Sequence, residues 1–418
     1  MTGLSGQTPP LDAGGQWRLL VRSFATLAVG EAVARAFGLV AVVVLARELE
    51  PAGFGIVTLG ATLVLWFALV VDSGTEVIGL REVSRAPERL RQLAGPVLGL
   101  RLVLSFAAMG ALAAVALLIT GSSRDRDVLL LFALVLPAIA LNLRWMVLGA
   151  GASKAIAIGN GVSQLIFALG VVLLVSGSAD AVDVPPAQAA GELAYGLIVM
   201  AAVARRAGVP WPRVDLPAWR SMLVESFPLM INNFARAVML GFDLVLVALL
   251  LGTAEAGLYG AAWKPVLFLL GAIRLGSVSF LSAYSSAAPR DGHALFRRGA
   301  RASLLVTVPV AIALAAGAGP FVELVFGDEY SSAATALAIL VWRVPLTALA
   351  GAYSGVLIAG GRQRDLMWSN VWAAIFNIAF NVALVPVLGI EGAAAVSVAS
   401  QLLVLGLNRR AVREVDVG

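Results

Sequence analysis

The chain carries no cysteine and a single histidine in 418 residues. Disulfides and thiolate metal sites are therefore excluded. The histidine, His293, lies in a polar stretch beside Arg290, Arg297 and Arg298, and reads as a solvated loop residue rather than a metal ligand. Charge is scarce too: Asp, Glu, Lys and Arg make up 13% of the chain, where soluble domains carry about 25%. Neither lysine, Lys154 or Lys264, follows a glycine, so the phosphate-cradling motif G-x-x-x-x-G-K-[ST] is absent. Aromatic residues, at 7%, provide no stacked platform for a sugar.

What fills the chain instead is apolar. Hydrophobic residues are 60% of it, and the mean hydropathy is +0.92. A soluble core cannot use that much apolar surface, so the composition predicts an all-α, polytopic membrane protein. Its 43 glycines fit the higher use of glycine in membrane helices. Crossing the hydrocarbon takes about 20 apolar residues. Twelve stretches qualify: 19–45, 54–72, 95–120, 128–149, 155–176, 188–204, 226–251, 257–285, 302–325, 333–359, 366–388 and 391–408. The first lacks a small-residue cleavage site and reads as retained rather than as a signal peptide.

Basic residues set the orientation. With the N-terminus in the cytoplasm, twenty Lys and Arg fall on that side, in clusters such as Arg81, Arg85, Arg89 and Arg91, or Arg205, Arg206, Arg213 and Arg220. Only Arg47, Arg124 and Arg126 fall opposite. This bias predicts cytoplasmic termini. The pI of 10.0 is thereby explained by topology signals and anionic-lipid contacts, and does not point to nucleic acid. The longest outward connection, Ser178–Ala187, is too short to hold the external active site of a membrane glycosyltransferase or polymerase.

The chain reads as duplicated. Ser23-Phe24 precedes Pro51-Ala52-Gly53-Phe54-Gly55, and Ser226-Phe227 precedes Glu255-Ala256-Gly257-Leu258-Tyr259 at nearly the same distance. Pro137, Gly149-Ala150-Gly151 and Asn160 are echoed by Pro345, Ala359-Gly360-Gly361 and Asn370. Six spans per half give a parallel repeat, which places function in a cavity between the halves. The expected division is a cytoplasmic tail 1–18, an N-lobe 19–204, a basic linker 205–220 with Pro210, Pro212 and Pro217, a C-lobe 221–408, and a cytoplasmic tail 409–418.

Several stretches resemble the polysaccharide (O-antigen type) flippases of the MATE-like superfamily of lipid-linked oligosaccharide exporters. They are Leu45-Ala46-Arg47-Glu48-Leu49-Glu50-Pro51-Ala52-Gly53-Phe54-Gly55, Asp72-Ser73-Gly74 and Arg81-Glu82. Further along come Phe242-Asp243, Gly257-Leu258-Tyr259-Gly260-Ala261-Ala262-Trp263-Lys264, and Val325-Phe326-Gly327-Asp328-Glu329-Tyr330. Last are Asn377-Ile378-Ala379-Phe380-Asn381, Val385-Pro386, Gly389 and Gly392-Ala393-Ala394. The resemblance implies twelve helices in two six-helix lobes around a central cavity. It also implies movement of a polyprenyl-diphosphate-linked glycan from the cytoplasmic to the outer leaflet of the cell membrane.

Seven cations sit inside apolar spans: Arg35, Arg101, Arg144, Arg236, Lys264, Arg274 and Arg343. Charge at that depth costs several kcal/mol or more, so such residues face a bundle interior or water. Arg101, Arg144 and Arg343 lie toward span ends and read as snorkelling anchors. Arg35, Arg236 and Arg274 are the expected diphosphate site, because guanidinium forks bind phosphate bidentately and stay charged. Glu31, one turn from Arg35, is either its counter-ion or a protonatable carboxylate. Asp243 is expected to meet another helix or a coupling cation, and Lys264 either couples or snorkels. Glu192 shows no partner. Asn377 and Asn381 share a face and suit interhelical hydrogen bonds.

The reading that follows is a flippase, not an enzyme. It needs no cofactor or resident metal, and a proton or sodium gradient is its candidate energy source. Its expected partners are the lipid-linked oligosaccharide, membrane lipids and polysaccharide polymerase or assembly proteins. The alternative is a cation-coupled drug or solute antiporter of the same superfamily. Seven intramembrane cations against the carboxylates Glu31, Glu192 and Asp243 weigh against cationic drugs. A third reading, a scaffold or a glycan-assembly enzyme, suffers from the costly buried charge and the missing external domain.

Overall fold

The structure, a computed structural model, describes residues 13–149, 152–286 and 289–416. Within hydrocarbon a backbone must pair its own polar groups, and a helix does so within one segment. The described residues accordingly form helices and no strands. In order these are α1 (Ala13–Asp72), α2 (Thr75–Arg85), α3 (Leu90–Ile119), α4 (Ser123–Ala133), α5 (Val135–Ala140), α6 (Arg144–Gly149), α7 (Ser153–Leu174) and α8 (Val184–Ala207). The second half holds α9 (Leu216–Leu251), α10 (Thr253–Ser286), α11 (Pro289–Ala316), α12 (Ala318–Phe326), α13 (Ala333–Leu340), α14 (Arg343–Ala359) and α15 (Gln363–Asp416). Among the described residues, nine helical stretches are long and apolar enough to cross a membrane. Two of them, Val29–Asp72 and Gln363–Arg413, run 44 and 51 residues and have the length for two crossings each.

Those two long helices bend at single residues. Glu50 breaks α1 with φ 58° and ψ 172°, just before Pro51. Gly389 breaks α15 with φ 61°, three residues after Pro386. The junction between α9 and α10 is made the same way, by Gly252 at φ 98°. Glycine reaches this region freely, whereas Glu50 holds it at a cost of order 1–3 kcal/mol. Proline interrupts two further spans. Pro345 cannot donate to the carbonyl of Val341, and the Val344 N–H takes that oxygen instead at 3.0 Å, in a tightened turn between α13 and α14. Pro137 stands three residues after the break between α4 and α5 at Leu134. The echo between the two prolines thus has the same structural consequence in both halves.

The halves meet near the Glu50 end of α1 through backbone. A Cβ added to Gly55 would lie 1.8 Å from the carbonyl oxygen of Thr253, and one added to Gly257 would lie 1.9 Å from that of Pro51. Gly55 is the fifth residue of the arm starting at Pro51, and Gly257 the fifth of α10. The contact is therefore self-equivalent, with matching residues 202 positions apart. Around it, Arg47 donates to the carbonyls of Leu324 and Val325. The Tyr330 hydroxyl donates to the Ala46 carbonyl at 2.9 Å. Phe54 meets Tyr330 edge-on at 5.9 Å. Stretches far apart in sequence, around Arg47 and around Tyr330, close on one another in a single buried core.

At the Asp72 end, side chains make the join. Trp66 stacks on Phe242 at 6.1 Å and donates its indole N–H to the Ala237 carbonyl at 3.1 Å. Gly74 faces Ser226, and Arg81 pairs with Glu225.

Replacing Gly257 by alanine should cost about 1–3 kcal/mol of stability, because the new methyl group meets a backbone that cannot swing away. Gly110 has open space around its Cβ position, so Gly110→Ala should be neutral or slightly stabilising. Thermal unfolding of the two variants in detergent measures the contrast.

Candidate functional site

α1 carries the first polar cluster. Arg35 donates from Nε to Glu31 Oε1 at 2.9 Å, and its Nη2 lies 2.7 Å from the same oxygen. Asn160 on α7 donates to Glu31 Oε2 at 3.0 Å. The guanidinium packs against Gly271 of α10, where an added Cβ would come within 1.9 Å of Nη1. Only glycine admits it there. About a third of each charged side chain stays exposed (31% for Arg35, 32% for Glu31). The pair is neutral as a unit and sits where α1 of the first half meets α10 of the second.

The other two arginines expected at an anion site are placed differently. Arg236 is exposed on α9 and shares a helix face with Asp243, two turns away. The register set by Gly55 and Gly257 matches Arg35 with Ala237, one residue on, which is about 100° around the helix. Arg35 and Arg236 are thus not on equivalent faces. Arg274 lies on α10 three residues after Gly271, within one turn of the Arg35 contact, and its side chain falls outside the described residues.

A second cluster is buried within the second half. Asp243 accepts hydrogen bonds from Asn377 Nδ2 at 2.8 Å, Asn381 Nδ2 at 2.6 Å and the Tyr259 hydroxyl at 3.1 Å. Asn377 also reaches Ser400 at 3.2 Å. Arg343 donates to Ser397 and, at 2.9 Å, to the Met239 carbonyl, with its guanidinium 5.1 Å from the Trp263 ring centre. The side-chain oxygens of Asn377 and Asn381 have no partner here. Ser397 and Ser400 escaped the sequence reading, and Tyr259 entered it only as part of a motif, although two serines three apart in an apolar helix were a usable signal.

Two expectations need correction. Arg343 and Arg101 are 3% and 5% exposed, so neither snorkels. Arg101 donates to the Asn142 carbonyl at 2.8 Å and lies 3.5 Å from Asp72. Each is held because carbonyls and a hydroxyl or carboxylate surround it, which makes burial cheaper than stretching to an interface. Arg144 is half exposed and pairs with Glu76 at 2.8 Å.

Lys264 and Glu192 share a cavity of about 130 Å³, lined otherwise by residues such as Thr58, Ser163, Gln164 and Gln188. The volume has room for about four waters. Every lining residue but Lys264 comes from the first half of the chain. Lys264 therefore reaches across from α10 into a largely apolar space between α1, α7 and α8 that also holds Glu192, instead of turning outward. Among the described residues, no group of three or more His, Cys, Asp or Glu stands ready for a metal ion.

Asp243→Ala would remove the acceptor shared by three buried donors and the carboxylate among them, and should cost about 3–5 kcal/mol. Asp243→Asn keeps one acceptor oxygen and should cost clearly less. Thermal unfolding ranks the pair, and equal losses would show that Asp243 does not organise the cluster.

Residues 20–280 match the family model described as polysaccharide biosynthesis protein. No curated protein matches the chain. Among solved structures, it resembles an inward-facing multidrug resistance MATE family transporter of the MOP superfamily, with TM-score 0.74 and 12% identity, covering 93% of this chain and 99% of that one. It also resembles the lipid II flippase MurJ in an inward closed conformation, with TM-score 0.76 and 14% identity over 93% of this chain and 87% of that one. A MOP superfamily transporter from Pyrococcus furiosus, whose structure is described by the reverse polarity of its binding pocket, matches at TM-score 0.57 and 13% identity, covering 94% and 95%. These likenesses fix the fold as that of the MOP superfamily transporters. With its match over 20–280, the chain belongs to the polysaccharide biosynthesis protein family of multi-pass membrane proteins.

Proposed function

We propose that the protein moves a polyprenyl-diphosphate-linked oligosaccharide from the cytoplasmic to the outer leaflet of the cytoplasmic membrane, for surface polysaccharide assembly. Twelve crossings in two six-helix lobes, with both termini cytoplasmic, are the topology we assign. The lobes would rock about the central cavity to give access to each side in turn. The observation that carries the reading is the placement of Arg35. A guanidinium at the seam between the halves, partly exposed and seated on Gly271, can exchange Glu31 for a diphosphate oxygen as the halves part. Arg236 and Arg274 would supply further positive charge along α9 and α10. The family match supports the polysaccharide reading over the drug antiporter, and so does the excess of cations within the spans.

Energy coupling we assign to a proton or sodium gradient. Asp243, with two uncommitted amide oxygens beside it, and Lys264, in the cavity it shares with Glu192, are its candidate elements. Polymerase and assembly proteins would take the product on the outer side.

Arg35→Ala should reduce outer-leaflet appearance of the labelled lipid-linked glycan at least tenfold in vesicles, with the protein still inserted, because the bidentate guanidinium–phosphate contact is lost. Arg35→Lys, which lacks the planar fork, should recover only part of the rate. Normal export in the alanine variants of Arg35, Arg236 and Arg274 together would overturn the site. Asp243→Asn should abolish the response to an imposed sodium or proton gradient, and an unchanged response would remove Asp243 from coupling.

A further inference from the structure

The connection between α8 and α9, residues 208–215, is not helical. Gly208 turns the chain at φ 79° out of α8, and Pro210 and Pro212 hold it extended without offering N–H groups. It does not hang free. The Arg213 N–H donates to the Gly95 carbonyl at 3.1 Å. A Cβ on Gly99 would lie 2.3 Å from the Arg213 oxygen, and one on Gly95 would lie 2.8 Å from that of Trp211. Trp219, at the start of α9, donates its indole N–H to the Pro96 carbonyl at 2.8 Å. Two glycines thus make a groove in α3 that takes the linker backbone.

The position of that groove matters. Gly95 and Gly99 lie five and nine residues into α3, which is a candidate membrane span from Leu90 onward. At 1.5 Å per residue they are roughly 7–14 Å along it. Each headgroup layer is only about 5–8 Å deep. The linker is therefore pinned beside the membrane-crossing part of α3, at the boundary between headgroups and acyl chains.

Its side chains suit that depth. Val209, Trp211, Val214 and Leu216 are 65%, 74%, 76% and 66% exposed. Arg205, Arg206, Arg213 and Arg220 are exposed around them. The nearest acids are occupied: Asp215 caps α9 by accepting from the Ala218 N–H at 3.0 Å, and Glu225 pairs with Arg81. An apolar strip carrying a tryptophan, rimmed by four arginines, matches an anionic bilayer surface.

We infer that residues 205–220 form an interfacial anchor that binds the anionic headgroups of the leaflet on this side, the cytoplasmic one in the topology assigned above. The four apolar side chains enter the acyl boundary, and the four arginines engage lipid phosphates. Because the same segment joins the halves and grips α3, lipid binding holds the seam between α3 and α9. The inference stands on the membrane fold and does not require the flippase reading.

The chain has no cysteine, so a single introduced thiol reports without background. Val214→Cys, and separately Leu216→Cys, would be labelled with an environment-sensitive fluorophore in the full chain, reconstituted in nanodiscs of phosphatidylcholine alone or with phosphatidylglycerol. Nitroxide lipids labelled high on the acyl chain should quench both probes, and aqueous iodide should quench them at least threefold less in the anionic discs than in detergent. Replacing Arg205 and Arg206 by glutamine should weaken the stabilisation given by phosphatidylglycerol, by about fivefold in lipid affinity per arginine. Full iodide quenching in both disc types would overturn the anchor. So would shielding from both quenchers, which would place the strip against protein.

Discussion

The carbonyls of Pro51 and Thr253 each occupy the space where a side chain of the other half would stand. Small residues let membrane helices approach until van der Waals contact between backbones holds them. Here the approach is reciprocal, with Gly55 and Gly257 each receiving the other helix. Everything at that end follows from the closeness. Phe54 can reach Tyr330, Arg47 can cap the carbonyls at the end of α12, and one core runs through both halves. A side chain at either glycine would push all of these contacts apart at once.

Charge inside the bundle is governed by a second constraint, that each buried group needs partners already in place. Asp243 has three donors, and Arg343 has a hydroxyl, a carbonyl and an indole face. Arg101 has Asp72 and a carbonyl. Such groups fix helix positions within one half. Arg35 differs because its main contact on the far side is a bare glycine. It is paired along its own helix with Glu31 and seated on the other half at Gly271.

Much of the fold could be read from the chain, because hydrocarbon leaves few choices. Apolar length marked the helical stretches, and Pro51, Pro137, Pro345 and Gly389 lie at or beside their breaks. The register was less legible. The sequence echo pairs Gly53 with Gly257, whereas the contact pairs Gly55 with Gly257, a shift of two residues that follows from which carbonyl needs room. On the register of the contact Arg35 matches Ala237, one residue from Arg236. Burial of Arg101 and Arg343 was misjudged because position along a span gives depth but not the carbonyls of neighbouring helices. Asn377 and Asn381 were readable as helix-bridging groups from their spacing, while their shared acceptor on α9 was not.

The two ends of the seam between the halves are built from different materials. Near Glu50 it is backbone on backbone, enclosed by aromatic rings. Near Asp72 it is an indole, a serine and the pair Arg81–Glu225, whose side chains are 47% and 46% exposed. Water and salt compete for the second kind of contact and not for the first. The seam therefore has two grades of contact, one open to solvent ions at the Asp72 end and one of close-packed backbone at the glycines.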